Sequence, residues 1–112
     1  MSHTQPSKDD VVSSLAAAAE AAHRAYMAAL AANPEADLSE LYKAEMRAAA
    51  MWSVAEDQAL IADPAVEKAQ KDLDEATKNI RNQLGTLKDI SKWIQLLDGL
   101  VKLATTVSKF FV

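Results

Sequence analysis

Two hydrophobic patterns divide the chain. From residue 64 onward apolar positions recur every seven residues, whereas before it they crowd into alanine runs. With a heptad numbered from Val66, the a positions are Val66, Leu73, Ile80, Leu87, Ile94, Val101 and Ser108. The d positions are Ala69, Ala76, Gln83, Ile90, Leu97, Ala104 and Phe111, so only Gln83 and Ser108 are polar. A repeat sustained this long predicts a helix with a coiled-coil seam. Its flank reads as a solvated surface. Glu67 and Lys71, Lys68 and Asp72, Lys71 and Glu75, and Asp74 and Lys78 stand four apart, each pair adding about 0.2–0.5 kcal/mol.

Gly85 interrupts this run. The heptad phase crosses it without a slip, which favours one continuous helix over 64–111, roughly 70 Å long. A glycine inside a helix costs about 1 kcal/mol, which neighbouring leucines can outweigh. Under the alternative, Gly85 ends one helix, the segment from Thr86 to Asp89 caps the next, and four helices form an up-down-up-down bundle.

The first half predicts an antiparallel hairpin. Ser7 can cap a helix whose first turn holds Asp9 and Asp10, and Asn33-Pro34 stops it, giving a helix over about 8–32. Asp37 to Glu40 forms a capping-box pattern, and Asp63-Pro64 places a cap before a proline, giving a second helix over about 38–62. Alanine dominates both, at 16–22, 28–32 and 48–51. Such small side chains fill little volume and let two helices approach closely. Val12, Leu15, Tyr26 and Leu30 are expected to anchor the first helix, and Leu38, Leu41, Trp52 and Leu60 the second.

Beyond residue 90 the apolar arc widens. Trp93, Leu100 and Val107 occupy g, and Leu96, Leu103 and Phe110 occupy c, so more than half the helix circumference is apolar. One partner helix cannot cover that arc. Either several helices surround it, some from another subunit, or it lies on a membrane. The expected interface therefore comprises Leu87, Ile90, Trp93, Ile94, Leu97, Leu100, Val101, Ala104, Val107 and Phe111. The terminal Phe110-Phe111-Val112 points the same way, to a buried or partner-docked end.

Composition removes several classes of chemistry. Among 112 residues there is no cysteine, which excludes a disulfide scaffold, thiol catalysis and cysteine-ligated metals. Glu20 and His23 have the i,i+3 spacing of helical di-iron sites. That site needs a second such pair, and the other histidine, His3, lies in a polar N-terminal stretch, so a solvated pair is the expectation. Gly85 and Gly99 lie too far apart for a phosphate loop. No Ser/His/Asp set can be assembled, so neither catalysis nor a cofactor is expected. Lys and Arg total 12 against 16 acids, which disfavours nucleic acid. Residues 1–62 hold nine acids and four bases, and 86–112 hold two acids and four bases, so the two halves are expected to attract each other.

The expectation is an all-α protein with a disordered tail at 1–7 and one domain over 8–112. The function expected is a non-enzymatic interaction module that self-associates through its C-terminal helix, with another helical protein as a further partner. The alternative is a membrane-active protein whose 86–112 helix engages lipid. The first ten residues lack the basic-then-apolar order of a secretory signal, so the cytoplasm, or export by a signal-less route, is the expected location.

Overall fold

The helix starts are fixed by short polar side chains, as the computed structural model of the chain, describing residues 5–112, makes plain. Ser7 accepts a hydrogen bond from the Asp10 N–H at 3.1 Å and opens α1, Lys8–Ala32, which ends at Asn33 as expected. Asp37 accepts from the Ser39 N–H at 3.0 Å and opens α2, Ser39–Glu56. The expected capping box does not form: the N-cap is Leu38, which makes no side-chain cap hydrogen bond, and Glu40 pairs with Lys43 at 3.6 Å. Asp63 accepts from the Ala65 N–H at 2.8 Å just before α3, Ala65–Gln83. Asp89 accepts from the Ser91 N–H at 3.0 Å and opens α4, Ile90–Ser108. The Ser39 N–H and hydroxyl hold the Asp37 carboxyl below the ordinary carboxylate range. The Ser91 hydroxyl and N–H do the same for Asp89. In both, hydrogen bonds to the ionised form favour it.

The fold is all-α, with four helices among the described residues. This corrects the expectation of one continuous helix over 64–111. The chain turns at 84–89, so that α3 and α4 pack against each other. Packing decides the matter. Folding back buries Trp93, Leu97, Leu100 and Val107 within the chain, each nearly or completely inaccessible. Each such side chain is worth about 1.5–3 kcal/mol, far more than an uninterrupted helix gains over a turn. The turn also satisfies its own carbonyls. The Trp93 indole N–H donates to the Leu87 oxygen at 3.1 Å, and Asn33 Nδ2 donates to the Lys88 oxygen at 3.0 Å.

The buried stripe changes phase across that turn. In α3 the inaccessible residues are Val66, Ala69, Leu73 and Ile80, in line with the a/d pattern, and Thr77 at e in place of the half-buried d residue Ala76. In α4 they are Trp93, Leu97, Leu100, Ala104 and Val107, which are g and d positions. Ile94 and Val101, expected in the seam at a, are only half-buried. A turn is free to reset helical phase, whereas a continuous helix is not.

The second correction concerns the end of α2. The helix stops at Glu56 rather than near residue 62. Glu56 and Asp57 bring negative charge to the negative pole of the helix, which works against further turns. Lys8 Nζ donates to the Glu56 carbonyl at 2.9 Å and supplies the cation that this pole lacks. The following residues then run extended beside the chain's last residues. Ala59 and Val112 exchange both backbone hydrogen bonds at 2.9 Å, and the Ile61 N–H donates to the Phe110 oxygen at 2.8 Å. Leu60, expected as a helical anchor, instead forms a β-bridge with Phe111. Gln5 closes this clasp, donating to the Ile61 oxygen at 2.9 Å and accepting from the Asp63 N–H at 2.8 Å. Residues 5–7 of the supposed disordered tail are thus part of the fold, and residues 1–4 lie outside the described residues.

The arrangement around the core follows from side-chain size. α1 adjoins α2 and α3, and α4 adjoins the same two. α1 and α4 also touch across the short diagonal, while α2 and α3 occupy opposite corners without meeting. Directions alternate along the chain. Hydrogen bonds place Lys8 beside Glu56 at one end and Asn33 beside Lys88 at the other. α1 presents Ala18, Ala21, Ala22, Ala25 and Ala29 to the interior, all wholly inaccessible. These small faces admit α4 closely, and the molecule flattens to 52 × 27 × 17 Å. Gln70 ties α3 to α1 by donating to Ser14 Oγ at 3.1 Å.

Candidate functional site on the outer face of the hairpin

α4 was the expected working surface, and most of it points inward. Trp93, Leu97, Leu100, Ala104, Val107 and Phe111 are all buried within the chain, while Leu87, Ile90, Ile94 and Val101 are half-buried against the same core. The broad apolar arc is real and is covered intramolecularly. Its g and d residues enter the core. On one side of α4, Thr105 donates to Met51 Sδ of α2 at 3.5 Å. On the other side, Leu96 shares a shallow groove with Gln83 and Leu87 at the end of α3. Three neighbouring helices do what the sequence pattern seemed to ask of a second subunit.

The exposed apolar residues lie elsewhere. Met27, Tyr42, Met46 and Val54 are each about half exposed, at 48%, 50%, 51% and 54%, and all belong to the α1–α2 hairpin. Among the described residues Val112 is the other large hydrophobic side chain left this open. The hairpin seam explains this placement. α2 turns Leu41, Ala44, Ala48 and Ala55 inward against the alanines of α1. Tyr42, Met46 and Val54 are offset from that stripe and therefore face out. Tyr42 is steadied by an edge-to-face contact with Tyr26, ring centroids 5.9 Å apart and planes at 61°.

Charges frame this face. Lys43 and Arg47 are exposed on the N-terminal part of α2, and Glu56 and Asp57 are exposed at its end. Between them lies Ala50, also exposed. Beside Ala50 and Val54, a shallow groove of about 320 Å³ runs toward Met51, Ser108 and Phe111. A second trough, of about 510 Å³, lies over α1. Ala16, Ala17 and Ala49 form its floor, and Trp52, Glu20, Glu45 and Arg81 its rim.

The Glu20 and His23 pair is split by the fold. Glu20 accepts from Arg24 at 3.0 Å, and His23 Nδ1 meets Glu45 Oε1 of α2 at 2.5 Å. No group of three or more histidine and carboxylate side chains converges to hold a metal among the described residues. His3 lies outside them. Among those residues, too, no helix is long and apolar enough to cross a membrane.

Met27, Tyr42, Met46 and Val54 are not among the residues expected at an interface, although the sequence carries a signal for three of them. On a helical wheel Tyr42, Met46 and Val54 fall away from the Leu41, Ala44, Ala48 and Ala55 stripe. The alanine stripe, lacking bulk, did not announce itself as the buried side. No protein-family model matches the chain, and no curated protein or solved structure is significantly similar to it.

Proposed function

We propose that the protein is a non-enzymatic helical interaction module that works through the outer face of its α1–α2 hairpin. The observation that carries this reading is the distribution of exposed apolar side chains. Met27, Tyr42, Met46 and Val54 gather on the hairpin while α4 is packed inside. A half-exposed Met or Tyr standing alone is ordinary, but Met46 and Val54 share the outer face of α2, where Val54 lines the groove that runs to Met51 and Phe111. Aromatic and methionine side chains are also the types enriched where proteins meet.

A membrane-engaging segment over 86–112 is disfavoured by energy. Freeing α4 would require the core to open before lipid could cover Trp93, Leu97, Leu100 and Val107, a barrier of about 1.5–3 kcal/mol for each. That sum is comparable with the whole stability of a small domain.

The test is site-specific photo-crosslinking in the cells that make the protein. A crosslinker at position 46 should give discrete adducts, and one at exposed Glu75 on α3 should not. Equal yields from both positions would remove the hairpin face as the working surface.

A further inference from the structure

The outer face of α2 carries its own complement. Lys43, Met46, Ala50, Ser53 and Asp57 follow one another at spacings of three and four, so they form a single stripe along the helix. Arg47 and Val54 flank it, and Lys43, Met46, Arg47, Ala50, Ser53, Val54 and Asp57 are all exposed. The stripe is basic at one end and acidic at the other, with apolar residues between. Lys43 to Asp57 spans about 21 Å of helix. At its middle stands Ala50, small enough for two helix backbones to cross closely.

We infer that this face binds a second copy of the chain, with α2 lying antiparallel to its counterpart about a two-fold axis at Ala50. This rests on the hairpin reading above and names the partner. Under that symmetry each contact occurs twice. Met46 meets Val54 of the second copy, beside the groove at Ala50, Met51 and Phe111. Lys43 meets Asp57 of the second copy. Arg47 has no ion pair within its own chain among the described residues, and the Lys43 contact to Glu40 is long, at 3.6 Å, and solvent-exposed. Both cations are thus available to a partner. A parallel pairing would instead set like charges against each other, which fixes the direction. A contact of one helix on one helix is small, so the association is weak and appears only at high protein concentration.

Sedimentation equilibrium of the full chain at up to about 1 mM tests this, because a small contact becomes populated there. A reversible dimer is expected. Met46→Glu should weaken it at least about tenfold, and so should Lys43→Glu or Asp57→Lys alone. The double variant Lys43→Glu/Asp57→Lys should recover to within about threefold of the parent, since it restores opposite charges across the axis. Circular dichroism of each variant checks that these exposed positions leave the bundle folded. A strict monomer at the highest concentration overturns the inference. So does a dimer indifferent to Met46→Glu, or a double variant no better than its singles. If the chain is monomeric while position 46 still crosslinks to a different protein in cells, the self-association fails and the hairpin reading stands.

Discussion

The hairpin and the C-terminal half bury their surfaces by opposite means. α1 and α2 put mainly alanine into the interior and keep several of their large apolar side chains outside. α3 and α4 put leucine, isoleucine, valine and tryptophan inside and present mixed charge to solvent. Each solution needs the other. Alanine faces leave room, and the bulky residues of α4 enter it across the short diagonal, so that two bulky faces do not collide. The comparison also separates stability from recognition. The conspicuous hydrophobic residues hold the fold, while the helix whose buried side is alanine keeps Tyr42, Met46 and Val54 outside.

The sharpest way to break the comparison is to delete bulk from each half in turn. Trp93 is fully buried and its indole N–H is hydrogen-bonded, whereas Trp52 is only half-buried and lines the trough over α1. Trp93→Ala should cost about 3–5 kcal/mol, a large share of the stability of a domain this size. Trp52→Ala should cost less than about half of that, because much of its surface never left water. Urea unfolding followed by circular dichroism distinguishes the two. Equal losses would mean that the halves share the load more evenly than their burial implies.

The clasp comes next in size. Removing residues 110–112 takes away buried Phe111 and the three backbone hydrogen bonds to Ala59 and Ile61. A loss of about 2–4 kcal/mol in thermal or urea unfolding is expected. An unchanged melting temperature would show that the bundle closes without its terminal residues and that Phe111 is free for another use.

The alanine seam can be tested by adding bulk rather than removing it. Ala22 is wholly inaccessible on α1. Ala22→Leu should cost about 1–3 kcal/mol by overpacking, whereas a loose seam would accept the leucine and gain stability. The sign of the change, read from the urea midpoint, decides whether α1 lies as close to its neighbours as its alanines permit.

Most of the fold was legible because its boundaries are written in local chemistry. Ser7 caps α1, Asp37 and Asp63 stand at the starts of α2 and α3 near the expected residues, and Asn33-Pro34 closes the first. The start of α4 at Asp89 matches only the alternative with a turn at Gly85. The misread features are all tertiary. The stretch 57–62 reads as helical, yet it turns at 57–58 and runs extended at 59–61, where Phe110 and Val112 offer backbone partners. The arc on α4 looked like an intermolecular surface because its cover, the alanine faces of α1 and α2, has too little bulk to register as a hydrophobic stripe. The face carrying Tyr42 and Met46 was overlooked for the same reason. Where the buried side of a helix is made of alanine, the large residues that catch the eye are the ones outside.

Gly85 gives the smallest effect. It is exposed, it does not have a positive φ, and a Cβ placed there would meet nothing within 4 Å. The turn at 84–89 thus uses no conformation that only glycine reaches. Gly85→Ala should stabilise by about 0.4–1 kcal/mol, by narrowing the unfolded ensemble. A continuous helix would gain a similar amount, so the sign of this change says nothing about the path of the chain. Distance does. Labels at exposed positions 75 and 102 would stand about 40 Å apart on one straight helix. On adjoining antiparallel helices, with axes about 8–10 Å apart, they should lie within roughly 25 Å. Pulsed electron paramagnetic resonance on the labelled pair, with Gly85 and with alanine in its place, should return the short distance both times. A long distance in the alanine variant alone would mean that glycine, rather than the burial of α4, makes the turn.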